Sequence, residues 1–300
     1  MSCINENLTK HIRIIANNRS DLATLTALPA MHASYPVENV KIIDRELVTR
    51  STSTADQNIT IDFSADELIN GFVLGRHNLT SSATIAWKLY SGAGGTGTLL
   101  LQSSGGCLGG SLGDGELVSF PAGWGSFPWS SIPWGGSFTS ISSSLPTRLT
   151  FSTWFNATSC RSIVITISDA TNPDGFFEVG RIFTGLYISP MINAEFGLQL
   201  THKETTKQVR LIGGTLRSHA KDQFRKLNFN FAWLNEAERE ALNYQMSRIG
   251  LRRDIFISIY PEECSQKNND YAMIAKLTKE PSFISKVVKR FGHQVEVEET

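Results

Sequence analysis

Apolar and polar positions alternate along the chain in short runs, and a period of two marks most of these runs as half-buried strands. Ile59, Ile61 and Phe63 share one face, as do Ala83, Ile85, Trp87 and Leu89. Between them, Gly71-Phe72-Val73-Leu74 is a continuous apolar run that fits a more buried strand. Leu149-Phe151, Ile163-Ile165-Ile167 and Phe177-Val179 running on to Ile182-Phe183 continue the pattern. Later, Phe196, Leu198 and Leu200 alternate with polar neighbours, and Leu227, Phe229, Phe231 and Trp233 face away from Asn228 and Asn230. The period then changes. Asn235-Glu236-Ala237-Glu238 is an N-cap with a glutamate three residues on, which predicts a helix start. Leu242, Met246 and Ile249 share one helical face, and Gly250 stands where a left-handed terminating residue is wanted. Ile255-Ile257-Ile259, Tyr271-Met273-Ala275-Leu277 and Val295-Val297 return to the strand period. A mainly β protein with one well-signalled helix is expected.

Length and composition divide this pattern in two. At 300 residues the chain exceeds an average domain. Residues 91–145 change character sharply: Gly and Ser make up about half, and the only charges are Asp114 and Glu116. Such a stretch cannot bury enough apolar area to offset its ordering entropy, which predicts a long loop. Strands resume after it, so it reads as an insertion within a β domain. The domain boundary is expected near Ser189-Pro190-Met191, beyond which charged residues are about twice as dense. Residues 1–190 then form a β-sandwich of the jelly-roll kind, and residues 191–300 a second β-sandwich domain with the helix.

Chemistry-bearing patterns are sparse. The formal net charge is zero, so bulk charge argues for neither a nucleic-acid nor an acidic-lipid partner. Arg252-Arg253 and Lys286-Val287-Val288-Lys289-Arg290 read as solvated flanks of strands. No run approaches the roughly 20 apolar residues of a membrane span, and the first residues lack the form of a signal peptide. Synthesis in a cytoplasm is expected. The four cysteines and six histidines show no metal-ligand spacing, the Gly-Gly pairs fit no phosphate loop, and no G-x-S-x-G elbow occurs. Neither an enzyme nor a cofactor is expected. Gly213-Gly214 sits between Val209-Arg210-Leu211-Ile212 and Thr215-Leu216-Arg217 and reads as a hairpin turn. The sharper candidates are the loop aromatics Trp124, Phe127, Trp129 and Trp134, whose faces would stack on a sugar ring or fill a partner's pocket, or else pack the loop onto its own domain.

Two stretches carry a resemblance. Tyr35-Pro36-Val37-Glu38-Asn39-Val40, Gln57-Asn58-Ile59-Thr60-Ile61-Asp62-Phe63 and Gly71 to Leu79 resemble a discoidin-type jelly roll, in the version carried by tail-tip proteins of long-tailed bacteriophages. Phe176 to Phe183, the Gly213-Gly214 hairpin and the Asn235 helix are similar to the same proteins, and residues 191–300 resemble the tube-like domain of distal tail proteins. The resemblance implies a structural virion component in the tail tip or baseplate. It would be a homo-oligomeric ring, trimeric or hexameric, joining the tail tube protein to a hub or tip protein. A ring of this kind needs a protruding hairpin, and the polar Lys203-Glu204-Thr205-Thr206-Lys207 turn is the expected interface. The alternative is a carbohydrate-binding module that contacts a host-surface glycan through the tryptophan loop.

Overall fold

A computed structural model describes residues 11–80, 82–104, 150–210, 212–219, 223–261 and 266–300. The fold is mainly β. The chain enters through β1 (Arg13–Ile15), which belongs to the second sheet described below. The first sheet system holds β2 (Thr24–Leu28), β3 (Thr49–Arg50), β4 (Gln57–His77), β5 (Thr84–Tyr90), β6 (Leu99–Ser104), β7 (Thr150–Ser168) and β8 (Glu178–Gly185). β4 and β7 pair antiparallel from Gln57↔Ile167 to Gly75↔Thr150, with register shifts between Asp62 and Glu67 and between Ile69 and Gly71. Those bulges let both strands pass between layers. One half of the ribbon pairs with β2 and β5, which in turn carries β6; the other half pairs with β8, which carries β3. Where the sequence suggests separate strands at 59–63 and 71–74, there is one strand, because a bulge rather than a turn absorbs the bend.

The layers close on a jelly-roll-like sandwich core. Ile59, Ile61, Ile85, Trp87 and Leu89 meet Phe72, Leu74, Phe151 and Ile182, all 3% exposed or less. The Phe72 ring lies 5.8 Å from both Trp87 and Phe151.

The second unit is an eight-stranded antiparallel sheet. It adds β9 (Tyr187–Ile188), β10 (Gln199–Glu204), β13 (Gln223–Leu234), β14 (Asp254–Ser258), β15 (Ala272–Leu277), β16 (Phe283–Val287) and β17 (Arg290–Glu299) to β1. Its order is β10-β13-β17-β15-β14-β1-β9, with β16 on β17. The helix α1 (Glu236–Ile249) buries Leu242, Met246 and Ile249 in the core shared with Leu227, Phe229, Ile257 and Val297. Its start is the expected capping box: Asn235 Oδ1 accepts from the Glu238 N–H (2.8 Å), and the Glu238 carboxylate accepts from the Asn235 N–H (2.9 Å). A short helix, α2 (Gln266–Tyr271), precedes β15.

Three differences from the sequence reading have physical causes. Ile14 pairs with Ile257 of β14 and with Ile188 of β9, so both ends of the stretch read as one domain complete the second sheet, and the sandwich is inserted between them. Trp233 is 46% exposed although it continues the Leu227-Phe229-Phe231 alternation, because a bulge between Phe231 and Leu234 inverts the side-chain parity and buries Leu234 instead. Phe196 is fully exposed; the strand begins only at Gln199, after Gly197 at φ 107°.

The two units are joined by a third core. Ile15, Phe256 and Ile274, on the opposite face of the second sheet from Ile14, Ile257 and Met273, pack on Val73 and Phe183 of the sandwich. The approach is close: a Cβ at Gly75 would lie 2.2 Å from Ile274 Cδ1. Beside it the fully buried Arg181 donates to Asp254 (2.8 and 3.0 Å), to Asp21 (2.6 and 3.0 Å) and to the Val40 carbonyl (3.1 Å).

Candidate functional site

The join leaves a cleft of about 240 Å³ where the segment before β3, the end of β4, the start of β7 and β8 meet β15 and the end of β17. Strand register brings its walls together, since Arg50 pairs with Glu178, His77 with Val179 and Gly75 with Arg181. Arg45, Arg76, Asn78, Thr150, Glu178 and Glu299 line it. A more open groove of about 670 Å³, lined by Asp44, Lys276 and Glu298, continues on the far side of Arg45.

Each wall is fixed by its own contacts. Asn78 donates to Asp174 (2.8 Å) and to the Phe176 carbonyl (3.0 Å), while its oxygen accepts from the Glu178 N–H (2.8 Å). Arg76 has φ 56°, an uncommon conformation for a side-chain-bearing residue and one that clusters at ligand sites. Gly180 permits it, because a Cβ there would lie 2.9 Å from Arg76 Cβ. The Arg76 guanidinium donates to Thr300 Oγ1 (2.7 Å), the Thr300 carbonyl (3.3 Å) and the Ile43 carbonyl (3.4 Å). Burial, then the nearby Arg45 charge, pull Arg76 below the usual arginine value.

The carboxylates of the cleft are already paired. Arg50 holds Glu178 through Nη2 (2.8 Å) and Nε (3.2 Å), with its guanidinium between the Tyr35 and Phe176 rings at 4.4 and 4.1 Å. Arg225 holds Glu299 through Nη2 (2.6 Å) and Nε (2.8 Å). Burial pushes Glu299 up, and Arg225 outweighs that, leaving the carboxyl below its usual range. Arg45, by contrast, is exposed and has no hydrogen bond or ion pair among the described residues. The arrangement offers fixed guanidinium donors and carboxylate acceptors. That is a set suited to hydroxyl groups. Among the described residues no group of three His, Cys, Asp or Glu is placed to hold a metal.

The residues singled out from sequence lie elsewhere. Trp124, Phe127, Trp129 and Trp134 fall outside the described residues. The segment that contains them leaves β6 after Ser104 and rejoins at Thr150, on the cleft wall. Lys203 to Lys207 is not a turn. β10 pairs with β13 rather than with the next strand, and the chain runs on through β11 (Lys207–Arg210) to the Gly213-Gly214 turn and back through β12 (Leu216–His219). Thr205 and Thr206 interrupt one arm of a long hairpin, whose tip is the turn that the glycine pair marks. The cleft residues escaped the sequence reading because they come from distant strand ends, with Arg76 and Glu299 more than 200 positions apart. Arg76-His77-Asn78 drew attention only as part of a resemblance.

No family model matches the chain, and no curated protein does. Solved structures do. A Ruminococcus gnavus GH29 fucosidase in complex with fucose is 12% identical at a TM-score of 0.35, over 57% of this chain but 26% of its own. A family 32 carbohydrate-binding module from Clostridium perfringens in complex with galactose is 9% identical at 0.36, covering 59% of this chain and 98% of its own. A chitosan-binding module from a Paenibacillus chitosanase/glucanase is 9% identical at 0.37, covering 56% and 98%. At these scores the likeness decides nothing about function.

Proposed function

We propose that the chain is a non-enzymatic saccharide-binding protein whose sandwich takes a sugar ring in the Arg45–Arg76 cleft. The observation that carries this is the cleft itself: prearranged guanidinium and carboxylate groups at the end of a rigid sandwich. About 240 Å³ is slightly under the ~300–1,000 Å³ of sites for drug-sized ligands, which suits a single ring or chain end. In this reading Trp124, Trp129 and Trp134, which lie outside the described residues, are proposed as further ring faces for the same ligand. A glycan array probed with the full chain tests the reading. Arg45→Ala removes an exposed side chain without disturbing the core and is expected to weaken bound glycans about tenfold, near 1.4 kcal/mol. Unchanged binding in Arg45→Ala and Arg76→Gln alike would remove the cleft.

The hairpin favours a second, compatible reading. Among the described residues β11 and β12 pair only with each other, and an isolated two-stranded ribbon is marginal in water. Val209, Ile212 and Leu216 on it are 59, 110 and 49% exposed. A protruding apolar ribbon suits a subunit of a homo-oligomer, and in this reading the chain is a ring component at the distal end of a phage tail, between tail tube and hub, presenting the sandwich outward. Mass measurement of the intact protein tests it; a strict monomer at high concentration speaks against it.

A further inference from the structure

The ribbon and a strip beside α1 have matching chemistry. Each face of the ribbon couples an apolar side chain to an arginine: Val209 stands opposite Arg217 on one, Leu216 opposite Arg210 on the other, and Ile212 caps the tip. The strip is the connection from β9 to β10, where Met191 and Phe196 are 78 and 108% exposed and Ile192 is 44% exposed. The first turn of α1 lies against it, since the Met191 N–H donates to Glu238 Oε1 (2.6 Å). That turn adds Glu236 and the next turn begins with Glu240, both exposed; Glu236 has no partner among the described residues, and Glu240 has only its neighbour Arg239 at 3.4 Å. One surface is apolar with arginines and the other apolar with glutamates. Neither covers the other within one copy, because both stand exposed.

We infer that the 207–219 ribbon of one copy docks on the Met191–Phe196 strip and α1 first turn of a second copy. This rests on the homo-oligomer reading and names its contact. The two surfaces differ, so the contact is heterologous; it propagates from copy to copy and closes into a ring if the rotation permits. Desolvating Met191, Phe196 and Ile212 supplies the apolar centre, and the Arg–Glu pairs at the rim set register and rate of encounter.

Charge reversal in the intact chain tests this by sedimentation velocity. Arg210→Glu with Arg217→Glu, and separately Glu236→Lys with Glu240→Lys, are each expected to dissociate the oligomer. Because all four side chains are exposed, both variants should keep the circular dichroism of the parent. Mixing the two variants should restore association, as each supplies what the other lacks. Association that survives both reversals overturns the contact and leaves the oligomer reading standing. A parent that is strictly monomeric overturns both.

Discussion

Arg181 spends its guanidinium inside the protein, on Asp254, Asp21 and the Val40 carbonyl, at the seam between the units. Arg181→Met should cost about 3–5 kcal/mol in chemical denaturation, because it strands the buried Asp254 carboxylate and leaves the half-buried Asp21 unpaired. Burial already pushes Asp21 above its usual value despite the arginine. Glu296 shows the opposite case. Lys226 and Lys279 hold its carboxyl at about 2, below an ordinary 4.5. A depressed carboxyl stabilises the fold above its unfolded value and loses that contribution as the pH falls through the folded one. Glu296→Gln should therefore flatten the stability profile between pH 4.5 and 2 while leaving its shape at neutral pH unchanged. A parent and variant with parallel acid limbs would refute the pairing. None of these partners was legible in sequence, since Arg181 and Asp254 are 73 positions apart. Trp233 was misread for a local reason: a bulge inverts parity and leaves no mark in an alternating run.

Elements were legible where one periodicity ran without interruption. Helix α1 was readable from Asn235 to Gly250 because cap, apolar stripe and terminating glycine agree. Asn235→Ala should cost about 1 kcal/mol in thermal or urea unfolding, through loss of the cap. β14 carried an unread clue. Ile255-Phe256-Ile257 is apolar on both faces because Ile255 and Ile257 enter the α1 core while Phe256 enters the seam. β1 could not be assigned, since three residues contain no record of which sheet they complete. The ribbon makes the complementary prediction: replacing residues 207–219 by a two-residue turn should change oligomeric mass but leave the unfolding midpoint of the monomer close to the parent, as its described side chains are exposed.

At the scale of the whole molecule the apolar seam, the Arg181 cluster and the β1–β14 pairing weld sandwich and sheet, so the two should unfold in one transition by calorimetry. The same weld creates the cleft, because the end of β17 forms the wall that the sandwich lacks. A cleft assembled at a join is invisible to any reading that treats residues 1–190 alone. The most direct test is the structure of the intact protein crystallised with a glycan selected on an array. The account expects a sugar ring within hydrogen-bond reach of Arg45 and Arg76. A ring bound elsewhere on the chain, with the cleft holding only water, would contradict it.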